Sequence, residues 1–371
     1  MTETDQNTSV SYKDFLLVLA LEKDPLMSVK DLSKEISVSW PTVKKRYEDI
    51  LKRGIIRTPR AIPEIEKLGL QRMTVIADFT EFTQMQRMEQ ACTIYPYTKY
   101  RARMIGEKIG LFMQFDIPAN EQAITMFESF LDELKIRSLL SDYTVFSNQG
   151  IRKEVFPDFS KFNWETSTWE YSWDEWFDRL KTQKDYELPI PTPVNNDFSE
   201  YTPIAFDFLA ALSEDGSLKQ SDLMERFNLS RTETYRQYQY VRNNFVSSIR
   251  LNYNRDSFDL SETFVFLISE ISIQDQAKLF HMMSNDPPPF RFAIEILENK
   301  NVIIWGSMSL NQSSSFVFQL WNIYPNLRMW RLSTNDNGAM QYYFYPPNFD
   351  FEKMEWKNSK YWMVDGPLKE I

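Results

Sequence analysis

Two clusters of basic and small polar residues run against the charge of the chain that carries them. Ser39, Trp40, Thr42, Lys44 and Lys45 sit at the start of a capped helix, and Arg57 and Arg60 follow one short segment later. Between positions 39 and 60 seven Lys or Arg residues outweigh two acidic ones, in a 371-residue chain of net charge −10. A second cluster, Arg231, Thr232, Tyr235 and Arg236, opens a stretch (230–255) with five arginines and one glutamate. Hydroxyl, ammonium and guanidinium groups on the first turns of a helix are the groups that meet phosphate oxygens and base edges in the major groove of duplex DNA. Local basic patches are the electrostatic footprint of such contact even in an acidic protein. The competing reading is a solvated helix face, with Arg46 tied to a nearby carboxylate.

Other chemistries find little material. Glycine is scarce, at 9 residues, and forms no cluster of the kind that lets backbone approach a phosphate. One cysteine, Cys92, excludes a disulfide framework and cysteine-rich metal sites. One histidine, His281, excludes paired-histidine zinc chemistry and leaves no second histidine for a relay. Cys92 reads as a buried thiol beside Ala91 and Ile94, and His281 as a structural residue. The expectation is therefore no cofactor, no metal and no enzyme. The apolar run Phe15 to Leu21 is about a third of a membrane span, and its acidic, Ser/Thr-rich lead-in is unlike a secretory leader, so a cytoplasmic location away from membranes is expected.

The elements that would position the two clusters recur. Thr74 to Phe79 returns in character as Thr263 to Ile268, Leu111 to Phe115 as Val302 to Gly306, and Val38-Ser39 as Leu229-Ser230, each about 190 positions later. Phe156 to Phe159 with Trp164 is echoed by Tyr345 to Phe349 with Trp356. A tandem unit of about 190 residues is the reading. Each copy opens with three short helices. In the first, Tyr12–Glu22 has an apolar face, Ser28 caps 29–36, and Ser39 caps a third helix whose Pro41 needs no N–H partner. Val43, Tyr47, Ile50 and Leu51 form its inward stripe and Gly54 ends it. This is a helix-turn-helix, and Ile55-Ile56-Arg57 reads as a wing. Strands at 73–79, 100–105, 111–117 and 143–146 then alternate with helices at 83–94 and 119–134. In the second copy, strands at 263–269, 290–297, 302–306 and 327–332 alternate with helices at 274–284 and 312–324. Both series give the βαββαβ order of a ferredoxin-like unit.

A winged helix-turn-helix followed by a ferredoxin-like unit resembles the Lrp/AsnC family of feast/famine transcription regulators. The residues that carry it are Ser39, Val43 and Arg46, then Leu51, Gly54, Ile55 and Ile56, and the linker Ala61 with Lys67-Leu68-Gly69-Leu70. Phe258-Asp259-Leu260 stands in the linker position of the second copy. The family has one such unit per chain and dimerises through its sheets, so a tandem chain resembles a covalent pseudo-dimer. Its amino-acid effector pocket uses a Gly and a nearby Asp in the turn between the middle strands. Here Gly106 is present, Ile109 stands for the Asp, and Glu298-Asn299-Lys300-Asn301 has no Gly, which argues against amino-acid sensing. Siroheme decarboxylases resemble the same family; the single histidine and the lack of a convergent carboxylate pair set that activity aside.

The expected fold is thus α+β, two copies of winged helix-turn-helix plus ferredoxin-like domain. The expected divisions are 1–72 and 73–147 for the first copy, 148–200 for a Trp-rich acidic tail and Pro-rich linker, 201–261 and 262–334 for the second copy, and 335–371 for an aromatic tail. The expected partner is double-stranded DNA at the two residue clusters named above. A homo-oligomer through the sheets is a further candidate. The Trp-rich segments read first as aromatic tails folded over their own sheets, with docking of a protein partner there as the alternative. The alternative function is a non-enzymatic adaptor whose helix-turn-helix modules bind protein.

Overall fold

The computed structural model describes residues 10–184, 186–335 and 337–371. Helices α1 (Tyr12–Lys23), α2 (Val29–Glu35) and α3 (Trp40–Lys52) lead into strand β1 (Ile56–Pro63). Next come β2 (Leu70–Asp78), α4 (Phe82–Ile94), β3 (Thr98–Gly106), β4 (Ile109–Pro118), α5 (Glu121–Ile136) and the long β5 (Asp142–Val155). A small hairpin, β6 (Phe162–Asn163) and β7 (Thr168–Trp169), and helix α6 (Trp173–Thr182) follow. The next run has the same order: α7 (Pro203–Glu214), α8 (Gln220–Phe227), α9 (Arg231–Asn244) and β8 (Val246–Tyr253), then β9 (Glu262–Ile268), α10 (Ile273–Asn285), β10 (Arg291–Leu297), β11 (Asn301–Met308), α11 (Leu310–Ile323) and β12 (Leu327–Leu332). The tail holds β13 (Ala339–Gln341), the hairpin β14 (Phe349–Asp350) and β15 (Glu355–Trp356), and α12 (Gly366–Lys369). No described helix is long and apolar enough to cross a membrane.

The chain folds into two compact units. One takes residues 10–64, 157–171 and 204–261; the other takes 65–156, 172–203 and 262–371.

In the larger unit the strand order is β12-β9-β11-β10-β5-β2-β4-β3-β13, with β12 also paired to β3. Eight strands therefore close into a ring. Two seams close it. Along β5, residues 142–147 pair with β2 and residues 148–155 pair with β10. At the other seam Met104, Ile105 and Gly106 of β3 lie opposite Leu332, Arg331 and Trp330. The ring is filled by apolar side chains from all around it, among them Ile76, Met104, Phe112, Leu267, Ile303 and Trp330. Helices α4 and α5 cover one outer face with Met88, Phe127 and Phe130, and α10 and α11 cover another with Leu279, Met283 and Phe316.

Several strands and helices fall within a few residues of their expected places, but β5 is far longer than 143–146. Asn148, Gln149 and Gly150 interrupt its hydrophobic alternation, Gly150 has φ +73°, and a bulge there shifts the register against β10. The sheet edges at β3 and β12 pair with each other within the chain.

The lining of the ring also holds a buried charged cluster that no motif announced. Arg72 donates through Nε and Nη2 to the Asp116 carboxylate at 2.8 and 3.1 Å, and its Nη1 lies 3.7 Å from Glu295. Gln114 and Asn148 also donate to Glu295, at 3.2 and 3.0 Å. Burial raises the Asp116 pKa, but Arg72, with Lys99 and Arg152, outweighs it and holds the carboxyl below its usual range. Replacing Arg72 by Ala leaves two buried carboxylates without their cation and is expected to cost about 3–5 kcal/mol in urea denaturation. At the β3–β12 seam, a Cβ on Gly106 would sit 2.5 Å from the Met329 carbonyl oxygen and 2.7 Å from the Trp330 ring. Gly106→Ala is accordingly expected to lose about 1–3 kcal/mol by the same measurement, through forced separation of the two strands.

Candidate nucleic-acid interface

The smaller unit is built around the first helical trio. Ser11 caps α1 with a reciprocal bond to Asp14, and Ser28 caps α2. Phe15, Val18, Leu21, Leu32, Val43 and Ile50 form the core between the three helices. Ser37, between α2 and α3, takes φ +54°, as Asn228 between α8 and α9 takes φ +50°. Gly54 ends α3 at φ +69° with open space around it, so glycine is needed there for its dihedral angle and not for room.

Ser39, Trp40, Thr42, Lys44 and Lys45 are all exposed on α3, while Val43 and Ile50 point inward. Ser39 precedes the helix but does not cap it through its side chain; its Oγ lies 2.9 Å from Thr42 Oγ1 instead. Lys44 Nζ is 5.6 Å from the Trp40 ring centroid and 3.9 Å from Glu48. Arg46 faces the other way. It donates to Asp14 at 2.9 Å, and Arg53 meets the same carboxylate at 2.9 Å. Burial would raise the Asp14 pKa, but bonds from Ser11, Arg53 and Arg46 prevail and lower it. These two arginines anchor α3 to α1 through the Asp14 carboxylate.

Arg231, Thr232, Tyr235 and Arg236 are likewise exposed on α9, with Thr234 and Val241 buried behind them and Ser230 capping the helix. The two helix faces are unlike in residue type and in the place of their aromatic side chain.

The segment after α3 departs from expectation. It forms no wing hairpin of its own: β1 pairs antiparallel with β8, some 190 residues away, Ile56 opposite Tyr253 and Ala61 opposite Ile249. Backbone pairing to a distant strand satisfies the same donors that a wing would. Arg57 is exposed opposite Asn252, whereas Arg60 is half-buried opposite Arg250. A bulge at Thr58 and Pro59 accommodates Gly216, whose N–H donates to the Pro59 carbonyl at 2.7 Å.

The Trp-rich segment packs largely on its own units. In this unit Phe162 pairs with Trp169 across β6 and β7, and Trp169 Nε1 donates to the Phe258 carbonyl at 2.8 Å. Phe159 packs on Phe258 and Tyr253, and Phe162 on Phe15. In the larger unit Trp173 and Trp176 are buried against Phe290, Phe292 and Phe316 or bonded to the Asp286 carbonyl. Trp356 donates to the Leu68 carbonyl at 2.7 Å. Its cross-strand partner is Phe349, as that of Trp169 is Phe162, so the two hairpins do not pair through Phe159 and Trp164. Cys92 is buried, its thiol pushed up to about 12 by burial. His281 stacks on Tyr186.

Residues 11–57 match a sequence family described as winged helix-turn-helix DNA-binding. The match spans the N-terminal helical trio and the start of β1. No curated protein is significantly similar in sequence. In structure, the siroheme decarboxylase NirDL superposes along the whole chain, with TM-score 0.54 and 12% identity, covering 97% of this chain and 99% of that one. An AsnC family transcriptional regulator from Agrobacterium tumefaciens (TM-score 0.31, 17% identity) and the leucine response regulatory protein of Mycobacterium tuberculosis (TM-score 0.30, 16% identity) each match 37% of this chain, and 88% and 91% of their own. The NirDL likeness overturns the expectation that the chain is not an enzyme. A protein named for a decarboxylase activity has this fold from end to end, so scarce histidine and glycine do not exclude catalysis here.

One carboxylate in this unit is set apart from the rest. Glu22, near the end of α1, has its pKa raised to about 7, first by burial and then by the charge of Asp158, against the Phe159 N–H and Lys23. Its usual value is 4.5. The folded state therefore holds the proton more tightly, and stability falls as pH rises from about 4.5 through about 7. Glu22→Gln is expected to raise the thermal midpoint above about pH 7, by about 1–2 kcal/mol of stability, and to change little at about pH 4.

Proposed function

We propose that the protein is a sequence-specific, double-stranded DNA-binding transcription regulator with two non-identical helix-turn-helix readers on one chain. The observation that carries this reading is the match of the N-terminal trio to a DNA-binding module, with Ser39, Trp40, Thr42, Lys44 and Lys45 all exposed on its third helix. Arg57 adds a phosphate contact from the start of β1, and Arg60 a second from within the ribbon. Arg231, Thr232, Tyr235 and Arg236 of α9 form the second reader.

The chain is read as a tandem duplication, a pseudo-dimer of two winged helix-turn-helix and ferredoxin-like units. The repeated element order supports it, as do the left-handed residues Ser37 and Asn228. So do the matched tryptophan bonds: Trp169 to Phe258 and Trp356 to Leu68, each beside a left-handed residue, Asp259 or Gly69. Two unlike readers call for a binding site with unlike half-sites, in place of a perfect palindrome.

Fluorescence anisotropy on promoter DNA, titrated in salt, tests the reading. The expected result is binding with a steep negative log–log slope, reduced by about 2 in Lys44→Ala/Lys45→Ala, with affinity at least tenfold lower. Arg231→Ala/Arg236→Ala is expected to weaken binding through the other half-site. Absence of binding at low salt overturns the reading. A second reading, decarboxylation of a siroheme-like tetrapyrrole, is favoured by the NirDL likeness extending along the whole chain. Anaerobic incubation with siroheme, followed by mass spectrometry, tests it: loss of carbon dioxide supports it, and an unchanged mass removes it.

A further inference from the structure

Of ten tryptophans, only Trp40 and Trp321 are exposed. Trp40 belongs to the reading helix; Trp321 has no such explanation. It lies on α11 with Leu310, Ser314 and Phe318, at spacings that place all four on one helix face. Leu310, Phe318 and Trp321 are 64%, 66% and 56% exposed. The opposite face, with Phe316 and Leu320, is buried beneath Trp173, Phe292 and Phe266, so the apolar stripe is not displaced core.

The 14 residues of α11 include no charged side chain. Its counterpart α5 exposes Glu121, Glu128, Asp132 and Lys135. We infer that the outer face of α11 binds the same face of a second copy of this chain. Two chains of net charge −10 repel, and a face without charge is where they meet with least penalty. The surface also complements itself. In an antiparallel crossing about a twofold axis near Phe318, Trp321 of each copy falls over the low Ser314-Ser315 stretch of the other. Because α5 offers no equivalent face, the contact is isologous and closes at two chains. The three apolar side chains leave roughly 350 Å² uncovered on the scale that aromatics bury. That is about half of the ~800 Å² per partner in a standard interface. A contact of that size belongs with weak, transient interfaces.

Sedimentation of the full chain between about 1 and 100 µM is expected to show monomer passing to a species of twice the mass. Phe318→Glu is expected to move the midpoint at least tenfold upward, and Phe82→Glu, an exposed aromatic on α4, to leave it unchanged. Circular dichroism checks the fold of each variant, and Trp321→Ser serves if Phe318→Glu misfolds. A wild-type chain that stays monomeric throughout overturns the inference. So does a dimer that neither substitution weakens.

Discussion

The double engagement of β5 is the constraint on which the larger unit depends. Its first half completes the sheet of β2, β4 and β3, and its second half pairs with β10. Once β5 is shared in this way, the two four-stranded sheets can curl toward each other and meet again where β3 reaches β12. Closure removes the exposed strand edges that would otherwise template association. It also creates an interior, and the interior dictates which side chains line it: Ile76, Phe112, Leu267 and Trp330 for most of it, with Arg72, Asp116 and Glu295 as a satisfied ionic patch. Gly106 is required because Trp330 and the Met329 carbonyl occupy the space beside it. Strand β12 packs beside that turn.

The smaller unit solves a different problem, which is to hold helices while leaving one face of each free. Asp14 takes two arginines that would otherwise be available to solvent. The β1–β8 ribbon joins the strand after α3 to the strand after α9, so neither helical trio depends on an independent hairpin. The aromatic hairpin around Phe162 and Trp169 braces α1 and the segment after β8. The tryptophans are thus spent on internal packing. The long apolar bodies and single polar N–H of the indoles suit this use, and Trp169, Trp176 and Trp356 each give that N–H to one carbonyl.

Surface chemistry is divided in the same spirit. The net charge of −10 coexists with two basic helix faces, and α11 keeps a neutral, apolar face within an acidic chain. Long-range charge keeps chains apart, while local patches choose what each face meets.

The sequence by itself determined most helices, the Ser28 cap of α2, the order of strands, the exposed basic faces of α3 and α9 and the buried state of Cys92. These depend on periodicity and capping, which act over a few residues and are written in consecutive positions. The role of Arg46 as a structural ion pair was visible as one of two options. Tertiary structure decided what those elements meet. Only it paired Ile56–Pro63 with β8, extended β5 past the polar break at Asn148 to Gly150, and chose the partners of Trp169, Trp176 and Trp356. It also brought Arg72 to Glu295, 223 positions apart in number, across the ring. Each of these is a pairing between segments distant in sequence, selected by burial and by the need to satisfy every backbone and charged group at once. No local pattern records a partner that far away.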